Sequence, residues 1–495
     1  MTNARIVTLL AALSLGGCMV GPDYKRPDAP VPTTYKEQDG WKPATPADGI
    51  NRGAWWSIYN DPQLEQLEQQ VLISNQNVKS FEAAYRASIA LVQETQAQLF
   101  PVIGVTPQVT HGLSGSGRGF ATSSGVVVGG AGSGKVNTFY SVQASATWAP
   151  DLWGKIRRQV ESDVAAAQVS AADLANATLS AQATLAFDYM SLRYQDALKQ
   201  LLQQTVAAFQ RSLEITQNQY NAGTTSAADV VTADAQLKSA QAQLIAVGVA
   251  RGQFEHAIAM LTGRPPAEVS IPEAPLPTAV PVVPTDVPST LLERRPDIAA
   301  AERQMQAQNA LIGVTKAAYY PDITLTALVG FSSTMLGNLF SASNKAWSLG
   351  AAATQTLFDA GERAAAVRGA QATYDQSIAN YRQTVLVAFQ QVEDQLVALR
   401  VLEQQAIAEA AAVAATQRAL DVLLNQYRAG TVAYTSVVTE QTLLLADQET
   451  ALAVQQSRLT ASITLIEALG GGWQAGDLPS ADDIAHIEPA RLLEP

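Results

Sequence analysis

Residues 152–220, LWGKIRRQVESDVAAAQVSAADLANATLSAQATLAFDYMSLRYQDALKQLLQQTVAAFQRSLEITQNQY, decide the fold. This stretch has no proline and a single glycine, and Ala, Gln and Leu dominate it. At 1.5 Å per residue it predicts a helix roughly 100 Å long. An average globular helix has about a dozen residues, so this length predicts a coiled coil or the wall of a tube rather than a compact core.

Helices and a β-hairpin are predicted around this stretch. Gly223 ends the long helix, and a second helix is expected from Ser226 to Leu261. Upstream, apolar residues at helical spacing predict one long amphipathic helix from Asp61 to Phe100. Between them, apolar residues alternate with polar ones at 103–110 and again at 140–148, which is the two-residue period of β-strands. A Gly/Ser-rich loop, 112–134, joins the two strands.

The same order of elements then repeats. A helix through Ala301 and Ala310 leads to a second hairpin, with strands at 323–331 and 347–358. Another long helix to Tyr427 and a last one to Leu469 follow. Gln-Tyr-Asn-Ala-Gly-Thr at 219–224 matches Gln-Tyr-Arg-Ala-Gly-Thr at 426–431. We interpret this as an internal duplication, with repeats 61–264 and 291–472, a Pro-rich linker 265–290 and a C-terminal tail 473–495.

The four predicted strands have the length that a transmembrane strand needs, about ten residues. Four strands cannot close a barrel, and an open sheet edge is not tolerated in lipid. Two, three or four chains would supply 8, 12 or 16 strands, and the pattern alone does not choose among them. Aromatic residues border the hairpins, as in the girdles of membrane barrels: Phe100, Trp148, Tyr319, Tyr320, Trp347 and Phe358. The predicted fold class is mainly α with a small β part, a helical barrel joined to a transmembrane β-barrel.

The N-terminus has the features of a secretory signal. Arg5 precedes an apolar stretch, Ile6–Leu15, that is too short to span a bilayer. Cys18 is the only cysteine, and Leu-Gly-Gly-Cys at 15–18 resembles a lipobox, so we expect residues 1–17 to be removed and Cys18 to carry N-acyl and diacylglycerol lipid. Several acyl chains on one residue make anchoring stable. The Pro-rich residues 18–60 are predicted to form an extended, lipid-anchored strap.

Composition and motifs argue against several classes of protein. The net charge of −12 does not suit binding to nucleic acid, which requires a basic surface. Only three histidines occur, scattered at His111, His256 and His486, and the sequence has no metal-binding or nucleophile-elbow motif. The chain is therefore expected to be no enzyme and to use no metal or dissociable cofactor.

The chain resembles the outer-membrane factor (TolC-like) family, and within it the lipoprotein branch (NodT/OprM-like) that serves RND-type multidrug efflux systems. The most specific of the matching residues is the string Arg-Arg-Pro-Asp-Ile. The stretches that carry the likeness are Gly-Pro-Asp-Tyr at 21–24, Trp55-Trp56, Asp61-Pro62-x-Leu64-x-x-Leu67, Leu-Leu-Glu-Arg-Arg-Pro-Asp-Ile at 291–298 with Glu302, and the two Tyr-x-x-Gly-Thr turns.

The resemblance implies a homotrimer in the outer membrane that reaches through the periplasm. It would be the passive exit duct of a tripartite pump for drugs and other small molecules, with a periplasmic adaptor protein and an inner-membrane RND transporter as partners. An outer-membrane channel for type I protein secretion and a lipid-anchored coiled-coil scaffold without a pore are the alternatives. The charged residues Arg294, Arg295, Asp297 and Glu302 are expected to fix the linker–helix junction through ion pairs and capping.

The resemblance also implies roles for the two Gly turns, which would lie at the periplasmic tip. We expect the adaptor to dock on Gly223, Thr224, Thr225, Gly430 and Thr431. Family members close this tip with aromatic, basic and acidic groups, and Tyr427 and Arg428 fit the first two types. The acid expected about a dozen residues later is Thr439 here, with Glu440 next to it. Asp229 and Asp234 are alternative acids for the gate.

Overall fold

The computed structural model describes residues 19–37, 54–114, 120–121, 127–128, 135–283 and 291–485. Long helices account for most of these residues, and four strands form one antiparallel sheet. The main elements are α1 (Pro62–Ser74), α2 (Gln76–Ala97), β1 (Val102–Ser114), β2 (Lys135–Trp148), α3 (Lys155–Asn221), α4 (Ala227–Leu261), α5 (Pro296–Ala317), β3 (Asp322–Ser333), β4 (Lys345–Thr354), α6 (Glu362–Arg428), α7 (Tyr434–Ala468) and α8 (Ala481–Ala485).

The internal duplication is visible in the helix lengths. The long helices α3 and α6 have 67 residues each, and the helices that follow them, α4 and α7, have 35 each. Glycines with positive φ precede both long helices and follow both, at Gly154 and Gly361 and at Gly223 and Gly430. Adding 207 to a residue number in α3 or α4 therefore gives its counterpart in α6 or α7. The prediction of two equivalent halves is correct for these elements.

Both long helices end in the same glycine cap. The Gly223 N–H donates to the carbonyl of Tyr220 and the Thr224 N–H donates to the carbonyl of Gln219. This pair of hydrogen bonds is the Schellman motif, which needs a left-handed residue and therefore favours glycine. The same two bonds recur at Gly430 and Thr431. Each cap reverses the chain direction, so α4 returns along α3 and α7 along α6.

The structure corrects the prediction of one helix from Asp61 to Phe100. Two helices, α1 and α2, meet at Asn75, whose backbone is extended. The Asn75 side chain accepts hydrogen bonds from the N–H groups of Asn77 and Val78, and its amide donates to the carbonyl of Leu261 at 2.8 Å. Asn75 is thus an N-cap that a distant part of the chain holds in place.

The strands also differ slightly from their predicted bounds. β1 continues to Ser114, past the expected loop start at residue 112, because the ladder with β2 continues to the pair Ser114 and Lys135. β4 begins at Lys345 and ends at Thr354, before the expected end at Phe358. The sheet order is β1-β2-β3-β4, and all neighbours are antiparallel.

The helices pack side by side, and α3 is the central one. It contacts α2, α4, α5 and α7, whereas α6 contacts α5 and α7. Consequently α6 buries far fewer side chains than α3, although the two helices are equally long. The largest buried cluster lies where connecting segments cross the helices, and it includes Trp55, Tyr189, Ile271, Tyr381 and Leu465.

The strap, residues 19–37, lies extended over the start of α3 and along α5 and α6. The Val20 N–H donates to the Trp153 carbonyl, and the buried Arg158 guanidinium donates to the Val20 carbonyl and to Asp23. Farther along, Arg26 donates to the Tyr381 hydroxyl at 3.0 Å, and Glu37 pairs with Arg400. Residues 19–37 thus form an extended strap, as predicted. The prediction is wrong for the end of the segment, because Trp55–Tyr59 form a short 3-10 helix with both tryptophans buried.

The junction residues behave as structural groups. Arg295 pairs with Asp297 at 2.6 Å and donates to the Ala468 carbonyl at 2.9 Å, which ties the start of α5 to the end of α7. The Asp297 carboxylate accepts from the Ile298 N–H at the helix start. Glu302 instead lies 3.6 Å from Arg26 of the strap.

Candidate functional site

The register of the sheet gives it one apolar face and one mostly polar face. Val105, Ala144, Val329 and Trp347 stand in one row across all four strands. The neighbouring row on the other face is Gly104, Ser145, Leu328 and Ser348. Successive residues of a strand point to opposite faces, so every second residue along each strand lies on the same face as one of these two rows. A sheet with one largely apolar face and one mostly polar face fits a membrane barrel with a wet lumen.

Toward the loops, the apolar face of the sheet also carries the polar side chains of His111, Thr138, Ser333 and Lys345, whereas its apolar part has hydrogen-bonding groups only on Tyr140 and the two tryptophans. The members of the apolar part are Ile103, Val105, Pro107, Val109, Tyr140, Val142, Ala144, Ala146, Trp148, Ile323, Leu325, Ala327, Val329, Phe331, Trp347, Leu349, Ala351 and Ala353.

Both outer strands of this sheet have an open edge within the described chain. β1 pairs only with β2, and β4 pairs only with β3. Every residue of β4 is exposed, including Trp347 and Leu349 at 70% and 76%. Unpaired backbone groups cost several kcal/mol each in lipid. In a membrane the two edges must therefore pair with edges of other copies.

The predicted aromatic border is largely at the end of the sheet that meets the helices. The Trp148 indole donates to the Leu99 carbonyl at 2.9 Å, and Tyr320 stacks on Trp153 with ring centroids 4.9 Å apart. Trp347, in contrast, lies nearer the loop end of β4, opposite Val329. Aromatic side chains therefore occur toward both ends of the apolar face.

At the opposite end of the molecule, the two Gly turns lie next to each other. We call the region formed by residues 209–237 and 416–444 the turn end. The Gln219 amide donates to the Tyr427 carbonyl across it at 3.3 Å. Gly223, Thr224, Gly430 and Thr431 are exposed, and Thr225 is half-buried. The hydroxyls of Thr224 and Thr431 each donate to the carbonyl of the residue five positions earlier, so these side chains also stabilise the caps.

The structure does not bring the predicted gate groups together. Tyr427 is buried; its hydroxyl donates to the Thr216 hydroxyl at 3.2 Å and its ring lies 5.2 Å from that of Tyr434. Arg428 is exposed, with the Asn425 side chain 3.4 Å away. Thr439 is exposed and donates to the Thr435 carbonyl, and Glu440 is half-buried. Tyr427 thus joins α6 to α3, while Arg428 faces away.

The two alternative acids have different surroundings. Asp229 forms a capping box with Ser226 and accepts from the Thr225 hydroxyl at 2.6 Å. The Thr225 hydroxyl holds the pKa of the Asp229 carboxyl below its usual value. Asp234 is exposed and lines an open cavity of about 600 Å³ between α3 and α4, together with Leu213, Glu214 and Val230. Capping accounts for Asp229, whereas Asp234 has no such structural task in the described contacts.

One contact at the turn end was missed by the sequence analysis. The Gln441 amide donates to the Ser212 hydroxyl at 2.9 Å, and both residues are buried. With the bond from Tyr427 to Thr216, it fastens the α6–α7 hairpin to α3. The available signal was the polar pair Ser212 and Thr216, four residues apart on one face of a helix, beside the apolar residues Phe209 and Leu213.

The described residues contain no group of His, Cys, Asp and Glu that could hold a metal ion. Among the helices that the structure describes, none combines the length and apolar character needed to cross a bilayer. Cys18, the expected lipidation site, and most of residues 38–60, the second half of the predicted strap, lie outside the described residues.

Comparison with known proteins agrees with this architecture. A model of the outer membrane efflux protein family matches residues 67–264 and 287–471, which is most of the chain in two equivalent blocks. The chain belongs to the outer membrane efflux protein family. The resemblance to outer-membrane factors is thereby confirmed.

Named relatives cover nearly the whole chain. The probable efflux pump outer membrane protein TtgC of Pseudomonas putida is 28% identical over 96% of both chains. The cation efflux system protein CusC of Escherichia coli is 26% identical over 96% of this chain and 100% of its own. The solved outer-membrane channel OprN aligns with a TM-score of 0.83 and 27% identity over 92% of this chain and all of OprN.

These findings establish the coarse function. The protein is an outer-membrane efflux channel, a duct and not an enzyme. Its fold is mainly α-helical, a long helical barrel continued by a β-barrel to which each chain gives four strands.

Proposed function

We propose that three copies of this chain form the exit duct of a tripartite pump, which passes drugs and other small molecules from the periplasm to the exterior. The observation that carries the proposal is the four-stranded sheet with one apolar face and two open edges. Three copies would give 12 strands, an even number as in known single-chain barrels. The weakly buried α6 offers the matching open flank in the helical part.

The partners in this proposal are a periplasmic adaptor protein and an inner-membrane RND transporter. The adaptor docks on the exposed part of the turn end, on Gly223, Thr224 and Thr225 in one repeat and Gly430 and Thr431 in the other. Both turns are exposed and adjacent, and both are rigid because the Schellman caps fix them. A rigid surface loses little conformational entropy when a partner binds.

A lipid anchor on Cys18 is part of the proposal. Met19 packs on Gly154, and the Val20 N–H donates to the Trp153 carbonyl, so the residue after Cys18 lies where the sheet meets the helices. The Trp153 and Tyr320 rings stack at the same level. An acyl chain at this position would enter the same bilayer that the apolar face of the sheet requires. No other cofactor is proposed.

The duct is proposed to leave cargo selection to the pump. Relatives at 26–28% identity are named for antibiotics, toluene and cations, which share no chemistry that one binding pocket could recognise. Of the predicted gate residues, the charged ones proposed to line the gate are Arg428, Glu440 and Asp234, with Thr439 next to Glu440. Tyr427 and Asp229, which have structural partners, would shape the tip rather than close it.

Single-channel conductance tests the duct. The purified protein in a planar bilayer is expected to give discrete openings, and its mass in the same detergent should be that of three chains. A monomer without conductance would contradict the proposal and favour the alternative, a lipid-anchored scaffold without a pore. For the anchor, cells fed labelled palmitate should label the parent chain, and Cys18→Ser should abolish the label; persistent labelling of the variant would contradict lipidation at Cys18.

A further inference from the structure

The loop that joins β3 to β4, residues 334–344, has an apolar outer surface. Met335, Leu336 and Phe340 are 63%, 64% and 69% exposed, so most of each side chain is uncovered in the described chain. Leu339 of the same loop is buried. An exposed patch of several large apolar side chains usually marks a surface that binds something. What this patch can bind depends on the side of the sheet on which the loop lies.

Phe340 shows which side of the sheet the loop occupies. Its ring packs edge-to-face on the ring of Phe331, with the centroids 5.5 Å apart. Phe331 belongs to the apolar face of the sheet, two residues after Val329, which is opposite Trp347. The loop thus folds outward onto the apolar face, and not across the polar face that would line the duct. Its exposed side chains extend the apolar face beyond the last strand pair.

The polar groups of the loop bond to one another. The Asn344 amide donates to the Asn338 carbonyl at 2.6 Å and to the Ser341 hydroxyl at 2.9 Å, and that hydroxyl also donates to the Asn338 carbonyl. The N–H groups of Asn338, Leu339, Ser341 and Asn344 each donate to the carbonyl three residues earlier. Unpaired polar groups cost several kcal/mol each in an apolar layer. A loop that pairs them internally can therefore enter such a layer with little loss.

The two hairpins differ from the rest of the chain in charge. The chain has 44 acidic and 32 basic residues, yet residues 102–150 and 323–358 contain no Asp or Glu. Their charged residues are the cations Arg118, Lys135 and Lys345. A positively charged region on a negatively charged chain favours contact with an anionic surface.

Lys345 places one of these cations next to the apolar patch. It directly follows the loop, is exposed, and lies opposite Phe331 on the apolar face. A lysine in this position keeps its methylene groups on apolar surface while its ammonium reaches the polar layer above. Acyl chains and a phosphate, the two parts of an anionic lipid, would thus find matching groups side by side.

We propose that the β3–β4 loop is a binding site for an anionic lipid. Met335, Leu336 and Phe340 contact its acyl chains at the membrane surface, and the Lys345 ammonium pairs with its phosphate. The inference rests on the proposed duct, in which the apolar face meets lipid and the turn end lies in the periplasm. The loop is at the opposite end of the molecule, so the lipid belongs to the outer leaflet. One such site in each copy would fix the height of the barrel in the membrane.

Fluorescence quenching tests the lipid contact. A bimane label is placed on Phe340→Cys or Leu336→Cys in the full chain, reconstituted in nanodiscs of phosphatidylcholine and phosphatidylglycerol. Ser343→Cys, an exposed polar position of the same loop, is the matched control, and the labelled parent measures the background from Cys18. Quenching by brominated lipid is expected to be at least about threefold stronger at positions 336 and 340 than at 343. Aqueous iodide should show the reverse order.

Leu349→Cys, on the apolar face of the sheet, separates failure of this inference from failure of the duct. If brominated lipid quenched the label at 349 but not at 336 and 340, the barrel would stand and the lipid site would be overturned. Labels at 336 and 340 that neither quencher reaches would show that protein, such as a second copy, covers the loop. If iodide rather than brominated lipid quenched the label at 349, the proposed orientation of the sheet would itself be wrong.

The role of Lys345 is tested with the bimane label at position 336. Brominated phosphatidylglycerol in a phosphatidylcholine nanodisc is compared with the reverse mixture, which gives the local preference for the anionic lipid. A preference of about fivefold is expected, because one cation near the surface attracts anionic lipid by that factor. Adding Lys345→Gln should remove it, whereas Lys238→Gln, the same charge change on α4 outside the membrane, should not. A preference that persists in Lys345→Gln would overturn the assignment of the phosphate to Lys345.

Discussion

Glu68 is the most unusual single residue of the described chain. It lies on α1 with no exposed surface, and neither carboxylate oxygen has a hydrogen-bond partner among the described residues. Burial raises the pKa of the Glu68 carboxyl to about 9. The side chain is therefore protonated in the folded protein at neutral pH, while it would be ionised in the unfolded chain.

The free energy of unfolding should therefore fall as the pH rises, because of the Glu68 carboxyl. The folded state holds a proton that the unfolded state releases, so this contribution is present below the unfolded pKa near 4.5 and is lost as pH rises toward 9. Glu68→Gln cannot ionise, and at pH 8 it should be more stable than the parent by roughly 2 to 4 kcal/mol. Denaturant unfolding in detergent at pH 5 and pH 8 measures the difference. A variant with the same loss of stability between the two pH values as the parent would show that Glu68 is not the titrating group.

Gly313 is a second residue whose identity has a specific cause. A Cβ there would lie 2.7 Å from the Val20 carbonyl oxygen of the strap and 2.8 Å from the Arg158 side chain. Gly369 on α6 is also a helical glycine, but nothing lies within 4 Å of its Cβ position. Alanine is favoured over glycine in a helix interior by roughly 0.5 to 1 kcal/mol at either site.

The two glycines should consequently respond in opposite directions to alanine. Gly369→Ala is expected to stabilise the protein by up to about 1 kcal/mol. Gly313→Ala should lose more than this gain because the strap must move, and tryptic cleavage after Lys36 should become faster. Thermal unfolding and timed trypsin digestion measure both effects. Equal stabilisation by the two substitutions would mean that the strap does not pack closely on α5.

Among the elements, the long helices and their turns could be predicted because their signals are local. The absence of proline over residues 155–220 and the glycines at 223 and 430 fix where the chain stays helical and where it reverses. The break at Asn75 could not be predicted in the same way. Its side chain caps α2 while its amide bonds to Leu261, a residue 186 positions away. Helical periodicity continues through such a break, so only the tertiary contact reveals it.

In the candidate site, too, features with a local sequence signal could be predicted and long-range contacts could not. The Gly turns and their neighbouring threonines were found from sequence, since a repeated Tyr-x-x-Gly-Thr string marks them. The bond from Gln441 to Ser212 joins α7 to α3 across 229 positions, and no local pattern pairs those two residues. Tyr427 was expected at a gate, but its hydroxyl has a buried partner in α3. Whether an aromatic residue at the turn end has a structural role depends on which helices pack against each other there.

The connection from α4 toward α5 depends on one charged cluster. Asp196 accepts from Arg193 at 3.0 Å and from Arg251 at 2.8 Å, and the two arginines also donate to the carbonyls of Pro272 and Ile271. Asp196→Asn leaves the Arg193 charge buried without its counter-ion. Removing one partner of a buried ion pair costs about 3 to 5 kcal/mol. We expect a loss of this order in the free energy of unfolding.

A nearby exposed pair supplies the control for this cluster. Lys199 lies 2.5 Å from Glu273 of the same linker, but both side chains are substantially exposed. Lys199→Ala should cost no more than about 1 kcal/mol, because water and salt screen such pairs. Denaturant titration of both variants in the same detergent gives the comparison. Similar small losses from both substitutions would show that the linker is held by apolar contacts such as Ile271 and Leu276 instead.

At the scale of the whole molecule, the sheet and the helices impose the same requirement. The strands β1 and β4 have open edges, and α6 has an open flank, on a chain whose two halves otherwise repeat. One chain therefore completes neither the wall in the membrane nor the wall outside it. Additional copies complete both walls at once. This explains why an efflux duct of this family can be built from a chain in which only 15% of the residues are charged. Its weakly polar flanks become contacts between copies.

The orientation of the sheet in the membrane can be tested with two neighbouring residues of β4. Leu349 is opposite Ala327, near the middle of β3 and on the apolar face, whereas Ser348 is on the polar face. An arginine on the lipid face near the bilayer midplane costs about 2 to 4 kcal/mol, while lumen substitutions change selectivity. Leu349→Arg should therefore reduce the amount of assembled protein in outer-membrane fractions. Ser348→Arg should assemble normally and shift the ion selectivity of the channel toward anions. If Ser348→Arg blocked assembly and Leu349→Arg did not, the faces would be reversed, and the apolar row would have to line the duct.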